Sequence, residues 1–204
     1  MFKPTEIVVH CSATLAEQNI NAALIRAWHK SKGWSDIGYH FVIKRDGTIE
    51  VGRPLTRMGA GVKGHNKYTI HICLIGGLGA DGKPVDNFYE KQKGSLKVLI
   101  DGLCFKFPIK AVKGHRDYSP DKNNDGVITK DEWLKVCPCF DVGEWYYGNI
   151  TGRIEEDKVR KPEVEEPQKN GVVSVLVNDD NSSTNTKKSS KPKRKRSSSS
   201  KRTD

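Results

Sequence analysis

Short β-branched runs alternate along this chain with stretches of helical spacing, and no other feature restricts the fold as much. "EIVVHCS" is too short for a helix and is bounded by polar residues, which predicts a buried strand ending near His10. "NINAALIRAWHKSKG" follows, with Ile20, Leu24, Ala27 and Trp28 at helical spacing, Asn19 or Asn21 as the cap and Gly33 as the stop. "YHFVIKRDGTIEVGR" holds two alternating runs joined at Asp46 and Gly47, both tolerant of positive φ, so a hairpin is expected. "TIHICLIGG" reads as another strand. Leu96, Leu99, Ile100 and Leu103 mark an amphipathic helix closed by Pro108, and "IKAVKGH" supplies a last strand that brings His115 to its end. Strands interspersed with helices and including a hairpin predict an α/β fold, a single domain with a mixed central β-sheet flanked by helices.

A length of 204 residues suits one such domain plus an extension. The domain is expected over residues 1–150, and 151–204 as a charged linker followed by a disordered basic tail rich in Ser and Lys. Within that extension "GVVSVLV" is one apolar run, too little for a core of its own. From Asn181 onward nine Lys or Arg stand against one acid, Asp204, so the tail carries +8 of the formal +10 and about +2 is left for the rest. The globular part therefore need not bind polyanions. "KPKRKR" has no interleaved aromatic residue for stacking on bases, and a salt-sensitive attachment to an anionic surface is the expected use of the tail. The start, "MFKPTEIVVHCSATL", is neither a secretion signal nor a membrane span, which predicts synthesis in the cytoplasm. Cys11, Cys73, Cys104, Cys137 and Cys139 are accordingly expected as thiols.

Two stretches offer metal chemistry. His10 and His115 stand at predicted strand ends, where neighbouring strands bring side chains to one edge, and Cys137 follows 22 residues after His115. Two imidazoles and a thiolate suit a zinc site that leaves a position for water. A histidine on a strand is more often packed or surface-exposed than a ligand, so spacing alone leaves the metal open. The second stretch fits the calcium-loop pattern D-x-N-x-D-G-x-x-x-x-x-E, with Asp121, Asn123, Asp125, the carbonyl of Val127, Thr129 and Glu132 as ligands and Gly126 at the turn. Pro120 precludes a helix before the loop, and only "KDEWLKVCP" is expected to be helical after it. The acids either hold a structural calcium or bond their own backbone.

"VVHCSAT", "GWSDIGYHFVIKRDGTIEVGRP", "GVKGHN", "ICLIGG", "GHRDYSPD" and "EWLKVCPCFDV" together resemble the zinc-dependent N-acetylmuramoyl-L-alanine amidases of the type-2 amidase and peptidoglycan-recognition group, most nearly the small bacteriophage enzymes. The resemblance covers roughly residues 7–142. It implies zinc held by His10, His115 and Cys137, with Tyr39 and Lys135 assisting catalysis, and Cys139 a bystander one residue past Pro138. His29, His40, His65 and His71 receive no metal role, and His40 is expected to face away from Tyr39. Cys11, Cys73 and Cys104 are expected in the core. The implied activity is hydrolysis of the amide between the N-acetylmuramoyl lactyl group and L-alanine of the stem peptide. The partner is then peptidoglycan or a muropeptide, the protein a monomer, and its access to the wall would follow permeabilisation of the membrane. A binding module without catalysis, or a polyanion- or polymerase-binding regulator using the basic tail, are the alternatives.

Overall fold

A computed structural model describes residues 2–148. The extension over 151–204, including "GVVSVLV" and the basic tail, lies outside the described residues. The predicted strands form a five-stranded mixed sheet: β1 (Glu6–Cys11), β3 (Phe41–Ile43), β4 (Ile49–Val51), β5 (Thr69–Leu74) and β7 (Ala111–Gly114), in the order β4-β3-β5-β1-β7. Only β3 and β4 run antiparallel; β3 to β5, β5 to β1 and β1 to β7 are parallel. Two short strands, β2 (Thr14–Leu15) and β6 (Gly77–Leu78), pair separately. The β3–β4 turn departs from the expected two-residue form. Gly47 N–H donates to the Lys44 carbonyl and only Gly47 takes a positive φ, +87°, while Asp46 spends its carboxylate on the Thr48 N–H.

Helices cover both faces of the sheet. Helix α2 (Glu90–Lys106) lays Leu96, Ile100 and Leu103 on Ile7, Val9, Ile43, Ile70, Ile72 and Leu74, and a helical stretch over 142–148 adds Val142 and Tyr146 to the same core. Leu96 is fully buried, so Leu96→Ala is expected to cost about 2–5 kcal/mol in urea unfolding at unchanged fold.

On the other face sits α1 (Ala22–Ser31), capped by Asn21, whose Oδ1 accepts from Leu24 N–H at 2.9 Å. The buried side of α1 is Ala22 and Ile25, packed with Ile20 against Val42, Cys73 and Ile75; Leu24 and Trp28 stay exposed. The helix carries two overlapping apolar stripes, and its polar ties select between them. Arg26 bonds Asp36 at 2.8 Å and the Gly52 carbonyl, and His29 Nδ1 accepts from Gly38 N–H at 3.0 Å. These bonds rotate Leu24 and Trp28 outward.

After β7 the chain turns through His115–Tyr118 and runs into the acidic loop. The helix expected over "KDEWLKVCP" is absent. One 3-10 turn, Lys130–Glu132, is followed by irregular backbone carrying Lys135 and Cys137. Tertiary bonds take the groups a helix would use: Leu134 N–H donates to Ser119 Oγ at 3.0 Å, and the Cys137 carbonyl accepts from Arg116 N–H at 2.8 Å.

Candidate metal centre

Register places the two histidines side by side. Val9 of β1 is paired with Gly114 of β7, and the next residues on these parallel neighbours are His10 and His115 at the carboxyl ends of their strands. Their Nδ1 atoms are 3.1 Å apart. Cys137 is returned to the same edge by the Arg116 bond to its carbonyl, reinforced by Arg116 to Asp141 at 2.7 Å and by the stacking of that guanidinium on Trp133. The Cys137 sulfur accepts from Cys11 N–H at 3.2 Å. One donor atom from each of His10, His115 and Cys137 lies within 4.8 Å of the others, and among the described residues this is the one such group of three or more.

The donor set fits a metal ion. Two nitrogens bound at about 2.0–2.1 Å around a tetrahedral centre stand about 3.3 Å apart, close to the spacing found here. Burial, then the neighbouring His71, His115 and Lys135 charges, hold His10 well below the ordinary imidazole pKa. Burial and Lys135 bring His115 down to about 4. Both rings are therefore neutral at physiological pH, with lone pairs available to a cation.

Tyr39 packs its ring 5.0 Å from that of His10. Burial, with the Cys73, Cys137 and Cys11 thiols nearby, raises its pKa well above that of free tyrosine, so the phenol keeps its proton. Lys135 is exposed and lines a small cleft with His115, Tyr118, Ser119 and Leu134. His10, His115 and Cys137 thus come together, with Tyr39 against His10 and Lys135 on the cleft beside His115.

Other expectations are corrected. His40 does not face away from Tyr39, because regular β3 begins only at Phe41; its ring stacks on His71 at 5.9 Å, within the same cluster of rings that holds Tyr39. His71, assigned no role from sequence, places its Nδ1 3.1 Å from His10 Nε2. The alternation in "TIHICLI" puts His71 and Cys73 on one face, but nothing in the sequence tells that Val8 pairs with His71 and so brings its ring to His10. Cys11 and Cys73 are buried and Cys104 packs against the core, as expected; Cys139 lies outside the metal group, its sulfur 4.0 Å from that of Cys11.

The acidic loop gives the calcium expectation no support. Asp121 Oδ2 accepts from Gly126 N–H at 2.8 Å, Asp125 Oδ1 from Val127 N–H at 2.8 Å, and Asn123 Oδ1 from Asp125 N–H at 3.1 Å. The Glu132 carboxylate takes the N–H groups of Lys122 and Thr129 and the Thr129 hydroxyl, bonds that hold its pKa below the usual range. These bonds cap the loop on its own backbone.

Two histidines and a cysteine that could hold a metal, beside an amine and a phenol on a mixed α/β scaffold, are compatible with a hydrolase that uses a bound metal. Comparison with known proteins narrows the class. The sequence profile of the N-acetylmuramoyl-L-alanine amidase family matches residues 2–127, and the chain belongs to that family. The matched range holds His10, Tyr39 and His115 and ends before Lys135 and Cys137. The chain is 42% identical over 152 residues to an endolysin of Enterobacteria phage T3, covering 72% of this chain and 91% of that protein. It is 41% identical over 143 residues to an endolysin of Escherichia phage T7, covering 70% and 85%. Among solved structures, the amidase LysC from Clostridium intestinale superposes with a TM-score of 0.56 at 28% identity, covering 76% of this chain and 87% of that one. Apis mellifera PGRP-SA shares the fold, with a TM-score of 0.53 at 24% identity and coverage of 71% and 81%. The chain is an N-acetylmuramoyl-L-alanine amidase.

Proposed function

We propose that this amidase lyses bacterial cell walls in the manner of the phage endolysins it resembles, with zinc held by His10, His115 and Cys137 and with Tyr39 and Lys135 as the catalytic pair. The catalytic domain is about residues 1–150. The observation that carries this reading is the meeting of two imidazoles and a sulfur, separated by 105 and 22 residues of chain, at one sheet edge. When bound, zinc lowers the pKa of its water to about 7 and polarises a carbonyl.

The chain's own residues do the rest. Burial keeps both histidines as neutral ligands, and the Cys11 N–H donates to the Cys137 sulfur and fixes its position. As the carbonyl between the lactyl group and L-alanine becomes tetrahedral, negative charge grows on its oxygen, where the Lys135 ammonium and the Tyr39 phenol donate hydrogen bonds. Tyr39 does so from a largely enclosed position, where such a bond is stronger than in water, and Lys135 from the open rim.

No helix among the described residues is long and apolar enough to cross a membrane. Reaching the wall after a membrane lesion, and a tail from Asn181 that holds to an anionic surface in a salt-sensitive way, are parts of the same proposal. Purified sacculi provide the test. The zinc-loaded protein is expected to release free L-alanine N-termini, and Lys135→Ala to keep its metal while losing about 100- to 1,000-fold in rate. Loss of the metal in that variant would move Lys135 out of the catalytic pair.

A further inference from the structure

We infer that His71 is the positioning residue for the metal ligand His10, its Nδ1 accepting a hydrogen bond from His10 Nε2–H so that His10 Nδ1 is the atom presented to the ion. The inference rests on the proposed site and concerns a residue outside the three donors. His10 has two ring nitrogens and, when neutral, one proton. Its Nδ1 lies 3.1 Å from His115 Nδ1, on the metal side, and its Nε2 lies 3.1 Å from His71 Nδ1. If His71 donated in this pair, the His10 proton would move to Nδ1 and block the ligand atom. His71 must therefore accept, with its own proton on Nε2.

The surroundings of His71 are built for that arrangement. The residue has no exposed surface, and its Nε2 is a buried atom without a hydrogen-bond partner among the described residues. Protonated there, Nε2 is a buried donor without a partner, a cost this arrangement carries while leaving Nδ1 free to accept from His10. The ring is fixed from behind by His40, which stacks on it, accepts the His71 backbone N–H on Nδ1 at 2.9 Å and lies with Nε2 3.0 Å from the Arg57 carbonyl. That carbonyl only accepts, so His40 carries its proton on Nε2. In front, the chain at Gly59 and Gly61 lies so close that a Cβ at either would come within 2.5 Å of the His71 ring, and one at Gly61 within 2.8 Å of His10 Nε2. No room remains for a ligand at His71, only for its contact with His10. Partners of this kind orient a metal-bound imidazole and typically contribute 10- to 100-fold in metal affinity.

The experiment compares His71→Leu, of similar volume without an acceptor, with His71→Asn, whose Oδ1 stands near the lost Nδ1. Zinc affinity is read by competition with a chromophoric chelator, on full-length protein whose fold is checked by circular dichroism. His71→Leu is expected to weaken zinc about 10- to 100-fold and His71→Asn to stay within about threefold of wild type. Wild-type affinity in the leucine variant, or equal loss in both, overturns the inference. Should His71→Leu not fold, two-bond ¹H–¹⁵N spectra of the wild-type histidine rings decide it: His10 protonated on Nε2 and His71 on Nε2 is expected, and a proton on His71 Nδ1 overturns it. Cys137→Ala serves as the control. If it retains zinc, the proposed site fails; if it loses zinc while both His71 variants keep it, only the role of His71 fails.

Discussion

Cys137→Ala is expected to emerge from purification without zinc, where the wild type carries close to one equivalent by atomic emission, and to lose wall lysis by about 1,000-fold or more. Cys137 supplies the sulfur of the three-donor group, and two neutral imidazoles alone cannot complete the three-ligand shell of a catalytic zinc. Removal of a single oxyanion donor costs about 100- to 1,000-fold in other enzymes, and losing the ion also removes the activation of the nucleophile. The fold should survive, because Cys137 is bound into its segment through its carbonyl to Arg116 N–H, which the substitution leaves untouched. Full activity in this variant would transfer the sulfur ligand to Cys139 or end the metal scheme.

Acid should unfold the metal-free protein at a pH where most domains of this size are still stable. Burial brings the imidazole of His40 down to about 4 and that of His71 to about 3, whereas an unfolded histidine titrates near 6.5. Between those values the unfolded chain binds more protons than the native one, so stability falls as pH falls. The contribution is complete above about pH 6.5 and is withdrawn progressively toward the folded values. At pH 5 the two histidines together have withdrawn stability on the order of a few kcal/mol, against a typical total of about 5–15 kcal/mol. Urea midpoints measured at pH 7, 6 and 5 after chelation should drop steeply through this window. A midpoint that does not move would mean these rings are open to solvent.

Much of this molecule is written in local pattern. The runs at Ile7–Val9 and Thr69–Leu74 are strands because Ile and Val suit a sheet buried on both faces, and Leu96, Ile100 and Leu103 mark the inner side of α2 because they recur at helical spacing. His10 and His115 were readable as strand-end residues for the same reason. The inner face of α1 was not readable, since Leu24, Ala27 and Trp28 repeat as regularly as Ala22 and Ile25, and bonds from Arg26 and His29 to distant backbone make the choice. The acidic loop shows the same limit. Its pattern matches a calcium loop, yet its carboxylates turn to their own N–H groups and no preceding helix frames them.

By itself, the sequence determined where the strands of the main sheet and helices α1 and α2 fall, which side chains are of metal-ligating type, and that the amidase family's motifs occur in order; these depend on residue type and spacing along the chain. The tertiary structure alone decided that His10 and His115 become neighbours in register, that irregular backbone rather than a helix returns Cys137 to them, and that His71 reaches His10. Hydrogen-bond register between parallel strands far apart in the chain is set by the packing of the whole sheet, which no local periodicity encodes.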